Sequence, residues 1–207
     1  MNQLAKLTVF KDVAMFNRQT LQRVLNIGNN ALYANIKRWL KKGELIQLKR
    51  GWYVTKNYYL MTPGKQIYLE WLANKLKEPS YLSMEYVLQK YNLLSEAVYS
   101  ITSVSLKKPK SFINNLGQFS YTNINEKLFK GYKVKQVGEY DIKEASLAKA
   151  LFDYLYYKKG KLAKITQDMW DDLRLNMDVI TDEDRNEFIK YCLEEGSKKM
   201  IQISKII

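Results

Sequence analysis

Residues 17–55, NRQTLQRVLNIGNNALYANIKRWLKKGELIQLKRGWYVT, restrict the possible folds of this chain more than any other stretch. Asn17 stands where an N-cap belongs, ahead of a helix that turns Leu21, Val24 and Leu25 inward. Asn26-Ile27-Gly28 breaks that helix, the glycine supplying the backbone freedom of a sharp turn. A second helix over about residues 29–42 stops at Gly43, the expected C-terminal glycine. Residues 44–48 and 52–55 are strand-like runs joined through Lys49-Arg50-Gly51, the pattern of a tight hairpin. Upstream, Leu4, Leu7 and Phe10 share one face of a short helix predicted over residues 3–10.

On the helix after the turn, Leu32, Ile36, Trp39 and Leu40 fall on one stripe at helical spacing. The opposite side collects Asn30, Ala34, Lys37, Arg38 and Lys41, with Tyr33 at its edge. A recognition helix needs this arrangement. Small Ala34 lets the backbone enter a groove, Asn30 and Tyr33 reach toward base edges, and the three cations suit phosphates or guanine. A hairpin tipped by Lys-Arg-Gly directly after such a helix has the form of a wing. The expectation is a winged helix-turn-helix whose DNA contacts come from Arg18, Gln19, Asn30, Tyr33, Lys37, Arg38, Lys41, Lys49, Arg50 and Trp52. A solvated basic helix face would look the same on residues 29–42 alone; the hairpin decides for the interface.

The distribution of charge agrees. Of the 207 residues, 1–78 hold 14 Lys and Arg against 4 Asp and Glu, whereas 79–207 hold 20 against 17. A basic excess gathered into one third of the chain implies a polyanionic partner, because each phosphate contact releases condensed counterions. With hydrophobic residues at 46%, the chain can build one large core or two modest ones. No apolar run approaches the roughly 20 residues of a membrane span, and the N-terminus lacks a signal peptide's apolar segment. A cytoplasmic, reducing compartment and no membrane partner are therefore expected. Cys192 is the single cysteine, which excludes an intramolecular disulfide and a cysteine zinc cluster. The absence of histidine removes His-based acid–base chemistry and most catalytic zinc sites. No glycine falls in a phosphate-binding loop motif, and no cofactor or catalytic residue is expected.

Residues 58–77 predict a connecting helix after Pro63-Gly64, packing Ile67, Leu69, Trp71, Leu72 and Leu76, and Glu78-Pro79 ends it. The domain boundary is expected there, dividing 1–78 from 79–207. Beyond it, a helix over 84–91 with Tyr86, Val87 and Tyr91 inward precedes strands at 98–105, 111–112, 118–123, 129–137 and 140–142. Residues 145–157 form the most apolar helix, with Leu147, Ala150, Leu151, Tyr154 and Leu155 on one face. The fold class is α+β. Residues 165–195 turn acidic, ten Asp and Glu against three basic residues, and predict two amphipathic helices joined at 178–184. The loop lysines Lys107, Lys108 and Lys110 are a candidate second surface for nucleic acid or an acidic protein, with a merely solvated turn equally compatible. Asp141-Ile142-Lys143 has the acid-x-Lys form that holds Mg²⁺ in nucleases, with Glu85 or Glu139 available to complete it. So short a pattern is common by chance, and no Pro-Asp partner precedes it.

Tyr81-Leu82-Ser83-Met84-Glu85-Tyr86, the run LSEAVYSITSV at 94–104, Phe119-Ser120-Tyr121 and AKALFDYL at 148–155 together resemble the AbiEi family of antitoxins. Lys49-Arg50-Gly51-Trp52-Tyr53-Val54 extends the likeness, which covers roughly residues 1–157. The resemblance implies a winged-helix repressor joined to a C-terminal antitoxin domain, which in this chain would be the mixed α+β region whose C-terminal helices are read from the residues alone. It implies binding to inverted repeats of operator DNA, and a functional partner in a nucleotidyltransferase-like toxin of phage abortive infection. That arrangement is a type IV toxin–antitoxin system, in which the toxin is countered without a stable complex. The acidic helical region after Lys158 matches no part of that pattern. A winged-helix regulator whose second domain senses a small molecule is the alternative, and a Mg²⁺-dependent nuclease the more distant one.

Overall fold

Asn17 caps its helix as expected: its Oδ1 accepts from the Thr20 backbone N–H at 2.8 Å. A computed structural model describes residues 7–162 and 164–207, so residues 3–6 of the expected first helix lie outside it. The chain divides into two α+β units. One runs to Leu69 and takes in Phe112–Gly117; the other holds Glu70–Ser111 and Gln118–Ile207. The division falls inside a helix, Lys65–Leu76, rather than after it at residue 78.

The first unit begins with a 3-10 turn, Leu7–Phe10, then β1 (Phe16–Asn17), α1 (Arg18–Leu25) and α2 (Asn29–Lys41). It continues through β2 (Leu45–Lys49), β3 (Trp52–Thr55), α3 (Lys56–Met61) and the start of α4 (Lys65–Leu76). Two expectations are corrected. Leu21 and Leu25 are buried but Val24 is 45% exposed, because α1 turns only the 21/25 row inward. The left-handed residue of the turn is Asn26 (φ 48°), whose N–H donates to the Arg23 carbonyl, while Gly28 is extended (φ −69°). Asparagine tolerates that region better than other side chains, so the turn does not depend on the glycine. Phe10, Phe16, Leu21, Leu32, Ile36, Trp39 and Tyr53 form one core. Its sheet has the order β1-β3-β2, all antiparallel, with Phe16 opposite Tyr53 and Leu45 opposite Thr55. The connecting helix is two helices, separated by Thr62-Pro63-Gly64 with Gly64 at φ 64°.

Most of a six-stranded sheet of order β6-β7-β5-β4-β9-β8 lies in the second unit, with Phe112–Asn114 of β6 and Gly117 of β7 counted in the first. The strands are β4 (Ser80–Leu82), β5 (Ser100–Ser105), β6 (Lys110–Asn114), β7 (Gly117–Asn123), β8 (Tyr132–Val137) and β9 (Tyr140–Ala145). Pairing is mixed: β5 runs parallel to β7 and β4 parallel to β9, whereas β4–β5 and β8–β9 are antiparallel. Helix α5 (Glu85–Lys90) follows β4, and α6 (Leu147–Lys158) follows β9. α6 starts later than expected because β9 extends to Ala145 and Ser146 caps the helix, its Oγ accepting from the Lys149 N–H. Toward the C-terminus come α7 (Met169–Asp172), α8 (Asp182–Glu195) and α9 (Lys198–Ile203). A capping box sets the start of α8: Asp184 N–H donates to Thr181 Oγ1, and Thr181 N–H to Asp184 Oδ2.

On α5, Val87 is buried as expected, but Tyr86 is half-buried and Tyr91 exposed, with Leu88 taking the inner position. Their hydroxyls explain this, since both serve a charged network at the rim of the core. Tyr86 donates to Glu70 at 2.6 Å and Tyr91 to Glu144 at 3.1 Å. Lys90 bridges Glu70 and Glu144 (2.8 and 2.6 Å), and Lys135 reaches Glu144 at 2.5 Å. Burial pushes the Glu144 carboxyl up, but the bonds from Lys135 and Lys90 outweigh it and hold it below the usual glutamate range. A depressed folded-state value stabilises above the unfolded pKa near 4.3 and is lost as pH falls through the folded value. Glu144→Gln is therefore expected to lower stability at pH 7 by about 2 kcal/mol, moderated by solvent around the half-exposed lysines. Denaturation at pH 7 and pH 3 checks this: the gap between parent and variant narrows in acid, and a constant gap refutes it.

Candidate nucleic-acid interface

The buried row of α2 orients its other side. Leu32, Ile36 and Trp39 are buried and Leu40 half-buried, so Asn30, Tyr33, Ala34, Lys37, Arg38 and Lys41 all face solvent. The charged row is not loose. Arg38 Nη2 donates to Asn35 Oδ1 at 2.7 Å, holding the guanidinium along the helix. Tyr33, 53% exposed, is held by Arg18, which donates to its hydroxyl and lies 5.1 Å from the ring centroid. An Arg stacked on an aromatic face keeps its fork oriented with less entropy left to lose on binding a phosphate.

The hairpin carries the other cations. Arg50 is exposed at the tip, where Gly51 (φ 77°) allows the turn. A register shift between Gln47 and Lys49 places Lys49 opposite Trp52, and the Lys49 ammonium lies 5.1 Å from the indole centroid. Pairing of β1 with β3 then does what helical periodicity does not reveal. Asn17 sits opposite Trp52, Arg18 N–H donates to the Gly51 carbonyl at 2.9 Å, and the start of α1 meets the hairpin tip. Asn17, Arg18, Gln19, Arg50, Gly51 and Trp52 line one shallow polar depression. Arg18 thus touches both groups of candidate residues, one through Tyr33 and one through Gly51. A two-residue strand such as β1 leaves no pattern in the sequence that could announce it.

The remaining candidates lie in the second unit. Lys107 and Lys108 are exposed in the loop after β5, and Lys110 opens β6. Lys77, which the sequence did not single out, donates to the Lys108 carbonyl at 2.7 Å. Asp141 is exposed on β9, and Glu85 and Glu139 lie on α5 and in the β8–β9 turn. Among the described residues no group of three or more His, Cys, Asp and Glu side chains is placed to hold a metal ion. Nor is any helix among them long and apolar enough to cross a membrane.

The first unit also holds a cavity of about 520 Å³ lined by Leu7, Thr8, Lys11, Glu44, Thr55, Lys56, Asn57 and Leu60. No family model matches the chain, and no curated protein matches it.

Proposed function

We propose that the first unit binds duplex DNA as a winged helix-turn-helix, with α2 in a major groove and the Lys49-Arg50 hairpin on flanking backbone. The observation that carries this reading is the exposed row Asn30, Tyr33, Lys37, Arg38 and Lys41 on a helix whose opposite row is buried, followed directly by a hairpin tipped with Arg50. In Lys37→Ala and Arg38→Ala the plot of log affinity against log salt is expected to flatten by about 0.9 for each phosphate left unneutralised. Binding to a duplex of the chain's own upstream region, titrated from low to high salt, reads this out. Unchanged affinity and unchanged slope in both variants would remove α2 from the interface.

The chain is further proposed to be an antitoxin and autorepressor of the AbiEi type, not an enzyme, acting in the cytoplasm against a nucleotidyltransferase-like toxin. Support comes from the resemblance, two of whose segments meet in the core: Tyr81 and Ser83 of one donate to Asp153 of the other. Expression of the full chain is expected to restore growth to cells making such a toxin from the adjacent reading frame. The Lys37→Ala/Arg38→Ala/Arg50→Ala variant should still rescue growth while losing repression. Failure of the parent chain to rescue ends the antitoxin reading and leaves the DNA reading standing. A ligand-responsive regulator is the second reading, and the cavity that supports it lies in the first unit, not in the second domain where the sequence places the sensor. A small molecule that raises the melting temperature and alters DNA affinity together would favour it.

A further inference from the structure

Glu44 occupies a position that suits a carboxylate poorly. Helix α2 ends in a Schellman turn: Gly43 is left-handed (φ 68°), its N–H donates to the Leu40 carbonyl at 3.0 Å, and Glu44 N–H donates to the Trp39 carbonyl at 2.9 Å. An apolar side chain commonly closes such a turn, and cations are favoured there because the last helix carbonyls leave a partial negative charge. This chain places an acid at that end instead. The Glu44 Oε2 atom is shut off from solvent with no hydrogen-bond partner, and among the described residues Glu44 forms no salt bridge. A buried acceptor without a donor lowers stability. Folding of the unit therefore gives no reason for the charge.

The same carboxylate lines the cavity of about 520 Å³. The wall is mostly apolar, with Leu7 supplied by the 3-10 turn and Leu60 by α3. A pocket of this size and character suits a small organic molecule held by a few polar groups. It sits at the joint between α2 and the hairpin. Thr55, the last residue of β3, lines it while capping α3, and Lys56 N–H donates to the Glu44 carbonyl at 2.9 Å. Lys11 and Lys56 share the wall, but both are exposed, and the Lys11 ammonium lies 3.9 Å from the Asp12 carboxylate. Exposed ammonium groups keep their hydration, whereas the enclosed Oε2 has lost its own.

We propose that this cavity binds a small organic cation, its apolar body against Leu7 and Leu60 and its ammonium group donating to Glu44 Oε2. Such a ligand supplies at once the missing donor and the positive charge that the end of α2 favours. A neutral molecule of the same shape leaves the carboxylate uncompensated, and an anion is repelled by it. The site deepens the ligand-responsive reading and rests on it only for the consequence. A ligand held by the residue that joins α2 to β2 acts on the angle between the helix and the hairpin, and through that angle on DNA affinity.

The test is calorimetric titration of the full chain with two matched sets of probes at millimolar concentration. One set is tryptamine, tryptophol and indole-3-acetate; the other is hexylamine, hexanol and hexanoate. At least one amine is expected to bind, its alcohol about 10- to 100-fold more weakly, and its carboxylate more weakly still. Glu44→Gln should reduce the amine to the affinity of the alcohol while leaving the melting temperature of the free protein unchanged or raised. Failure of both amines to bind, equal binding of amine and alcohol, or amine binding unchanged in Glu44→Gln would each overturn the site. So would a melting temperature several degrees lower in Glu44→Gln, since it would show that a cation of the chain itself, such as Lys11 or Lys56, already serves the carboxylate. Duplex binding with and without the amine then separates the site from its consequence. If the amine binds through Glu44 and DNA affinity does not move, the site stands and the ligand-responsive regulator falls. A shift in DNA affinity that persists in Glu44→Gln acts through the duplex and removes that regulator as well.

Discussion

Asp153→Ala is expected to destabilise the second unit by about 3 to 5 kcal/mol, the cost of leaving one member of a buried ion pair alone. Asp153 and Lys149 are 2% and 0% exposed, one turn apart on α6, and joined at 2.7 Å. The other carboxylate oxygen accepts from Tyr81 at 2.9 Å and Ser83 at 2.7 Å, so β4 and its following turn hang on the same group. Burial pushes the Asp153 carboxyl up and the Lys149 ammonium down, each opposing the other's shift. Phe152 and Tyr191 present ring faces to the ammonium at 4.5 and 5.2 Å. Alanine would strand a buried cation and two hydroxyls together. Lys149→Met/Asp153→Leu removes both charges and is expected to recover much of the loss, since an apolar replacement of a buried pair is often neutral. Chemical denaturation of the full chain checks both, and a loss below about 1 kcal/mol in Asp153→Ala would show that water already reaches the pair.

Trp39→Ala is the second large effect, in the first unit. The indole is 1% exposed within a core shared with Phe10, Phe16, Leu21, Leu32 and Tyr53. Truncating a buried Trp costs about 3 to 5 kcal/mol, and a unit of this size has only some 4 to 10 kcal/mol in total. Because α2 is aimed by the row that contains Trp39, DNA affinity is expected to fall with stability. Trp52→Ala separates the two. Half-buried on the hairpin with Lys49 over its ring, it should cost under about 1 kcal/mol of stability yet weaken DNA binding. Melting midpoints and duplex binding measured on both variants decide this. A Trp39→Ala midpoint within a few degrees of the parent would mean that the core repacks around the loss.

Local patterns are readable wherever one helix or one turn carries its own signal. The Leu32–Ile36–Trp39 stripe, the Asn17 cap, the Thr181–Asp184 acidic start and the hairpin around Gly51 all depend on residues within one or two turns of each other. Sequence and structure part where neighbours far along the chain choose between equivalent faces. Val24 and Leu25 are both eligible for the inner side of α1, and the surrounding core decides for Leu25. Tyr86 and Tyr91 are large enough to be core, but their hydroxyls have carboxylates to serve at its rim.

By itself the sequence determined the α+β composition, the order of most elements, the concentration of cations before residue 78 and the solvent-facing row of α2, because periodicity and charge act over a few residues. Tertiary structure alone decided the strand order that sets β5 parallel to β7. It alone brought Asp153 to Tyr81 and Ser83 across 72 and 70 residues, Arg18 to the hairpin tip through β1, and Lys77 to the loop of Lys107 and Lys108. Each of these joins groups that only chain reversal can place in contact, and the free energy that selects them is burial and hydrogen bonding of the whole unit rather than any local preference.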